Sequence, residues 1–154
     1  MLNPDAVIIF SGPIHSGKTT RLLDWASRRN DVFGIGTPVI NGQRVFMDLH
    51  STEQFSMEAT PEESDTISIG HFRFSQSGFD QAIKIIRSAI LANGWLVIDE
   101  IGPLELKGEG FHQVLKETLS HRQAKLLLVV RESLVETVKQ FFKIDNPEVI
   151  MSLL

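Results

Sequence analysis

Nine residues, Gly12-Pro13-Ile14-His15-Ser16-Gly17-Lys18-Thr19-Thr20, fit the pattern G-x-x-x-x-G-K-[ST] and follow directly on an apolar run from Ala6 to Phe10. At ordinary residue frequencies roughly one chain in two hundred of this length would match by chance. The order predicted is strand, turn and helix start. Such a turn gathers backbone N–H groups at a helix N-terminus, where unpaired donors and the helix dipole attract anions. Gly12 and Gly17 let the backbone bend sharply and approach a phosphate with no Cβ in the way. Lys18 then reaches the β- and γ-phosphates of a nucleotide, and the Thr19 hydroxyl is placed to ligate Mg²⁺. The whole run from Gly12 to Thr20 is therefore the candidate phosphate cradle.

A chain of 154 residues is the size of one ordinary domain, so residues 1–154 are expected to share one. The formal charge of −4 comes with scattered Lys and Arg and no basic block, which argues against a nucleic-acid partner. The sequence contains no cysteine, so it has neither disulfides nor thiolate metal sites. No stretch approaches the roughly 18 apolar residues of a membrane span, and the N-terminal apolar run lacks the length and basic flank of a secretory signal. The expectation is a cytoplasmic protein without a membrane partner.

Buried strands are expected at Ala6 to Phe10, Trp95 to Glu100 and Lys125 to Val130, continuous apolar runs of the kind covered on both faces. Helices are expected from Lys18 to about Arg29, with Leu22, Leu23, Trp25 and Ala26 on one stripe, and from Gln81 to Leu91. Two more follow at Phe111 to Leu119 and at Ser133 to Phe142, the last opened by a Ser133/Glu136 capping box. Two extended runs, Gly34 to Ile40 and Arg44 to Leu49, flank Asn41-Gly42, a dipeptide suited to a tight hairpin. Ser51 to Asp65 reads as a loop, Ile67 to Phe74 as one extended segment with a slip near Gly70, and Glu148 to Leu154 as a last short strand. Strands alternating with helices predict an α/β fold, a mostly parallel sheet with helices on both faces plus an antiparallel hairpin.

The second half of the site is Ile98-Asp99-Glu100, where a buried strand ends in two acids. Ligands of such sheets bind outside the carboxyl ends of the strands, so these acids point into the crevice. Asp99 is placed to hold the Mg²⁺ shell, and Glu100 to orient and deprotonate a water that attacks the γ-phosphate. Arg131, directly after the third buried strand, is the candidate cation for the developing charge, with Arg44 and Arg73 behind it. His15 faces outward on this reading. His50, His71, His112 and His121 show no metal-ligand spacing, and Phe10, Phe72, Phe74, Phe111, Phe141 and Phe142 read as core.

With these residues set out, the chain resembles the small P-loop nucleoside-triphosphatases. The resemblance is carried by Gly12 to Thr20, by Gly34-Ile35-Gly36-Thr37-Pro38 with Asn41-Gly42-Gln43-Arg44-Val45, and by Gly70-His71-Phe72-Arg73-Phe74. It continues through Val97-Ile98-Asp99-Glu100-Ile101-Gly102-Pro103-Leu104-Glu105-Leu106 and Val129-Val130-Arg131. It implies a RecA-like α/β domain that hydrolyses ATP, GTP and other nucleoside triphosphates with Mg²⁺, using Lys18, Thr19, Asp99 and Glu100 as above. That family usually has Pro-Gly where this chain has Ile14-His15, and here the loop is similar to that of type II thymidine kinases. The likeness to the kinases ends with the loop, since their zinc-binding cysteines are absent. Two alternatives stay open: a nucleoside or nucleotide kinase, and a slow nucleotide-dependent switch whose partner docks on the hairpin or on Ser51 to Asp65.

Overall fold

Successive side chains of a strand face opposite sides of a sheet, and in this protein both sides are apolar, so both must be covered. The computed structural model describes residues 5–13 and 16–153, which leaves Ile14 and His15 of the loop outside the described residues. Strand β1 (Ile8–Gly12) leads into helix α1 (Lys18–Ser27), and β2 (Val32–Gly36), β3 (Val39–Ile40), β4 (Gln43–Asp48) and β5 (Gln54–Ser56) follow. Next come β6 (Thr66–Ile69), β7 (Phe72–Ser75), α2 (Gln76–Ser88), β8 (Trp95–Ile98), α3 (Pro103–Leu106) and α4 (His112–His121). The chain closes with β9 (Lys125–Arg131), α5 (Val135–Phe141) and β10 (Glu148–Ile150).

The main sheet runs β10-β1-β9-β8-β2-β4-β3, with β5 on β4. Pairing is parallel from β10 through β2 and antiparallel beyond it. Ile8, Phe10, Val97, Leu127 and Val129 pack on one side beneath Leu22, Trp25 and Ala26 of α1. Ile9, Leu96, Ile98, Leu126 and Leu128 pack on the other against Phe79, Ala82 and Ile86 of α2, Leu115 of α4 and Val138 of α5. Each fully buried Leu, Ile, Val or Phe among them contributes about 1.5–3 kcal/mol of hydrophobic stabilisation. The expected α/β architecture, mostly parallel with helices on both faces and an antiparallel hairpin, is the one observed.

Several boundaries differ from expectation, each for a physical reason. The first strand lies two residues later, because Ser11 and Gly12 pair with Val130 and Arg131. The run from Gly34 to Ile40 is two strands: β2 joins the parallel sheet beside β8, and Pro38, which has no N–H to give a ladder, separates it from β3. Asn41 and Gly42 adopt the positive φ of 53° and 78° that the tight turn requires. The segment from Ser51 to Asp65 is only partly loop, since β5 extends the sheet. Ile67 to Phe74 is a separate hairpin of β6 and β7, and the slip at Gly70 is its turn.

Helix α2 begins five residues before its expected start, where the Ser75 hydroxyl accepts the Gly78 N–H at 3.2 Å and caps it. The Ser133/Glu136 capping box does not form: residues Glu132–Leu134 make a 3₁₀ turn and Leu134 takes the cap position of α5 without a side-chain bond. Phe72 and Phe141 are half exposed, at 46% and 47%, and are not core. No helix among the described residues is long and apolar enough to cross a membrane.

Gly34 is fixed by close packing inside β2. Its φ is +106°, and a Cβ there would stand 2.0 Å from the Val97 carbonyl oxygen in β8. Gly34→Ala is expected to destabilise the fold by about 3 kcal/mol or more, through forbidden φ and steric overlap together. Urea unfolding of the two proteins tests this, and equal midpoints would contradict it.

Candidate functional site

The candidate loop residues, the two acids and Arg131 all lie at the carboxyl ends of β1, β8 and β9, because the sheet order sets these strands side by side. Gly12 is in register with Arg131, so the arginine stands next to the start of the loop. Helix α1 begins at Lys18 behind Gly17, whose φ of +78° is left-handed and which offers no side-chain cap. The first-turn N–H groups of α1 are therefore left for a ligand. The Lys18 ammonium folds back to donate to the carbonyls of Gly12 at 3.2 Å and Pro13 at 2.9 Å.

Asp99 joins the two halves of the site. Its carboxylate is wholly buried, and its Oδ2 accepts the Thr19 hydroxyl, the Thr37 hydroxyl and the Thr37 N–H, each at 3.0 Å. Its Oδ1 is buried with no hydrogen-bond partner among the described residues, as is the Ser16 hydroxyl. Burial, helped by the neighbouring Glu100 charge, pushes the Asp99 carboxyl up to about 6, against the pull of the threonine donors. A buried carboxylate with one oxygen satisfied and one open, beside a threonine hydroxyl, is a hard-oxygen donor set of the kind a small divalent cation takes.

Glu100 sits just past the end of β8 with φ +63°, a left-handed conformation that costs a non-glycine residue energy. The Arg44 guanidinium donates to its Oε2 at 2.6 Å across partly exposed surface, at 35% and 42%. Exposed pairs of this kind contribute only about 0–1 kcal/mol, so either partner can exchange it for a ligand. Arg131 has no ion-pair partner among the described residues. A pocket of about 560 Å³ takes in Ser16 to Thr20, Thr37, Arg44, Glu100 and Arg131. Its remaining wall is apolar: Leu23, Pro38, Val39, Ile40 and Met47.

The structure thus brings together Gly12, Pro13, Ser16, Gly17, Lys18, Thr19, Thr20, Asp99, Glu100 and Arg131, while Ile14 and His15 lie outside the described residues. Arg73 does not join them, since its guanidinium donates to the carbonyls of Thr60 and Glu63 and ties down that loop. His50 stacks on Phe33, and His112 bonds the Glu105 carbonyl, both as packing residues. Thr37 is a contact to which the sequence reading assigned no role; its signals were its place in the Gly34 to Pro38 string and its position before Pro38, where a strand breaks and releases an N–H.

Glu105 was also missed. It is buried, and its two oxygens accept the N–H groups of Gly102 at 2.8 Å and Phe111 at 3.0 Å, which shapes the segment beside Glu100. The legible signal was Pro103 at a helix start with an acid two residues on.

The chain is similar to known proteins. The family described as NTPase matches residues 7–152. Nucleoside-triphosphatase THEP1 of Methanothermobacter thermautotrophicus is 30% identical over 143 residues, spanning 86% of this chain and 80% of that protein. Among solved structures, a human cancer-related nucleoside triphosphatase is 23% identical with a TM-score of 0.68, over 97% of this chain and 88% of that one. THEP1 from the hyperthermophile Aquifex aeolicus is 19% identical with a TM-score of 0.73, over 95% and 88%.

Burial pushes the Glu105 carboxyl up from 4.5 to about 7, opposed by its two amide donors. In the unfolded chain the group ionises first, so stability falls as pH rises from the ordinary carboxylate range to about 7, by on the order of 3 kcal/mol. In metal-free urea titrations the stability advantage of wild type over Glu105→Gln is expected to shrink between pH 5 and pH 8. An advantage that grows with pH would contradict this.

Proposed function

The chain belongs to the NTPase family, and on that premise we propose that it hydrolyses nucleoside triphosphates to the diphosphate and inorganic phosphate with Mg²⁺, through a water activated by Glu100. The observation that carries this reading is the 3.0 Å bond from Thr19 Oγ1 to Asp99 Oδ2, which closes loop and acid into one site across 80 residues of chain.

On this reading the first-turn amides of α1 bind the phosphate oxygens, and Lys18 leaves the Gly12 and Pro13 carbonyls for the β- and γ-phosphates. Thr19 and Asp99 would hold Mg²⁺, a fit supported by the unpartnered, buried Asp99 Oδ1. When bound, Mg²⁺ neutralises charge on the phosphate oxygens. Glu100 takes the proton of the attacking water, and Arg44 holds that carboxylate in place until the water is aligned. Arg131, standing beside Gly12, stabilises charge that develops on the γ-phosphate. The walls that could meet the base are apolar side chains, which supports acceptance of ATP, GTP and other triphosphates.

Phosphate release from ATP, GTP, CTP and UTP with Mg²⁺, and no added acceptor, is the test. Release from all four is expected. Glu100→Gln should lower kcat by about 10² or more while leaving nucleotide affinity nearly intact, the size expected when a general base is lost. Lys18→Ala should instead weaken triphosphate binding itself. Full turnover by Glu100→Gln would remove the assignment of Glu100, and unchanged affinity in Lys18→Ala would remove that of the loop.

A further inference from the structure

A second cavity, of about 290 Å³, also has Glu100 in its wall. It shares Thr37, Arg44, Glu100 and Arg131 with the loop pocket, whereas Lys18 and Thr19 line the loop pocket alone and Asp99 lines this cavity alone. In phosphoryl transfer the attacking and leaving oxygens stand roughly in line across the phosphorus. With the β-phosphate on the loop and Glu100 as the base, the attacker enters beside Glu100, a residue in the wall of this cavity.

A water needs only about 30 Å³ and two or more polar partners. This space is far larger, and most of its wall is hydrocarbon from Met57, Ile69, Phe72, Phe74, Phe79 and Leu104. A dry cavity of about 150 Å³ already holds benzene, so this one has room for a substituted ring or two fused rings. Phe72 stands half exposed at 46%, its ring parallel to that of Phe74 at 6.0 Å and stacked with His71 at 4.6 Å. Such an aromatic surface gains by stacking a further flat ring. Of the acids in its wall, Glu105 has both oxygens engaged by the amides of Gly102 and Phe111, and Asp99 has Oδ2 engaged by Thr19 and Thr37.

We propose that this cavity is an acceptor site for a small aromatic alcohol, an uncharged one- or two-ring molecule whose hydroxyl takes the γ-phosphoryl group in place of water. The proposal rests on the hydrolytic reading of the same site. The hydroxyl oxygen bonds to the γ-phosphorus as the bond from that phosphorus to the bridging oxygen breaks. The electron pair of the broken bond stays on the leaving diphosphate beside Lys18, and the hydroxyl proton passes to the Glu100 carboxylate. The products are a phosphomonoester and a nucleoside diphosphate, with no change of oxidation state.

The test incubates wild type and Phe72→Ala with Mg²⁺ and ATP, without alcohol and with benzyl alcohol, 4-fluorobenzyl alcohol, 2-naphthalenemethanol or thymidine. Phosphorus NMR follows ester and inorganic phosphate, and the fluorine line of 4-fluorobenzyl alcohol follows binding. Expected are saturable binding, ester formed at the expense of phosphate with at least one alcohol, and a loss of tenfold or more in both on Phe72→Ala. Ile69→Ala is read in the same way should Phe72→Ala fail to fold. Ester from none of the four alcohols, or ester undiminished in the variant, overturns the proposal. Phosphate release without alcohol reads hydrolysis separately: release with no ester overturns the acceptor site alone, and ester with no release overturns hydrolysis alone.

Discussion

The buried carboxylate of Asp99 is the constraint on which the site hangs. A carboxylate removed from water costs several kcal/mol unless donors surround it, and here three donors converge on one oxygen. Those donors come from the start of α1 and from the end of β2, so satisfying Asp99 fixes the phosphate loop against the strand that precedes the hairpin. Satisfaction is incomplete by one oxygen, which is buried and unpartnered among the described residues. The fold thus carries a local electrostatic debt that a cation at that position relieves.

Sheet order sets this local arrangement beside the other candidate site residues. Because β9 lies between β1 and β8, Arg131 emerges between the loop and the acids. The left-handed turn at Glu100 then sends two adjacent acids to different environments. Asp99 is wholly buried beside the loop, while Glu100 remains partly exposed on the boundary of two cavities. One strand end thereby supplies the two carboxylates to which the proposed function gives the metal and the base roles. The weak Arg44 pair keeps the second in place without committing it.

Much of this was legible in the sequence, where short-range rules suffice. The loop, the stripe of Leu22, Trp25 and Ala26, the Asn41-Gly42 turn and the apolar strands each follow from a period or a backbone preference read within ten residues. What was not legible depends on distant partners. The fate of Gly34 to Gly36 was decided by pairing with β8, and β5 by an open edge on β4. The Ser133/Glu136 pattern lost to a 3₁₀ turn, and Ser75 capped a helix that apolar spacing alone would start later. Arg44 reached Glu100, and Arg73 left the site for loop carbonyls, through the folding of two hairpins that the sequence leaves unplaced.

With two cavities meeting at Glu100, the proposed reaction turns on which phosphorus the water attacks. The most direct measurement is hydrolysis of ATP by the intact protein with Mg²⁺ in ¹⁸O-enriched water, the products read by isotope shifts in phosphorus NMR. Attack of water on the γ-phosphorus places one solvent oxygen in each inorganic phosphate and none in the diphosphate. Label in the diphosphate, or no labelled phosphate at all, would contradict the assignment of loop, acid and water given to this site.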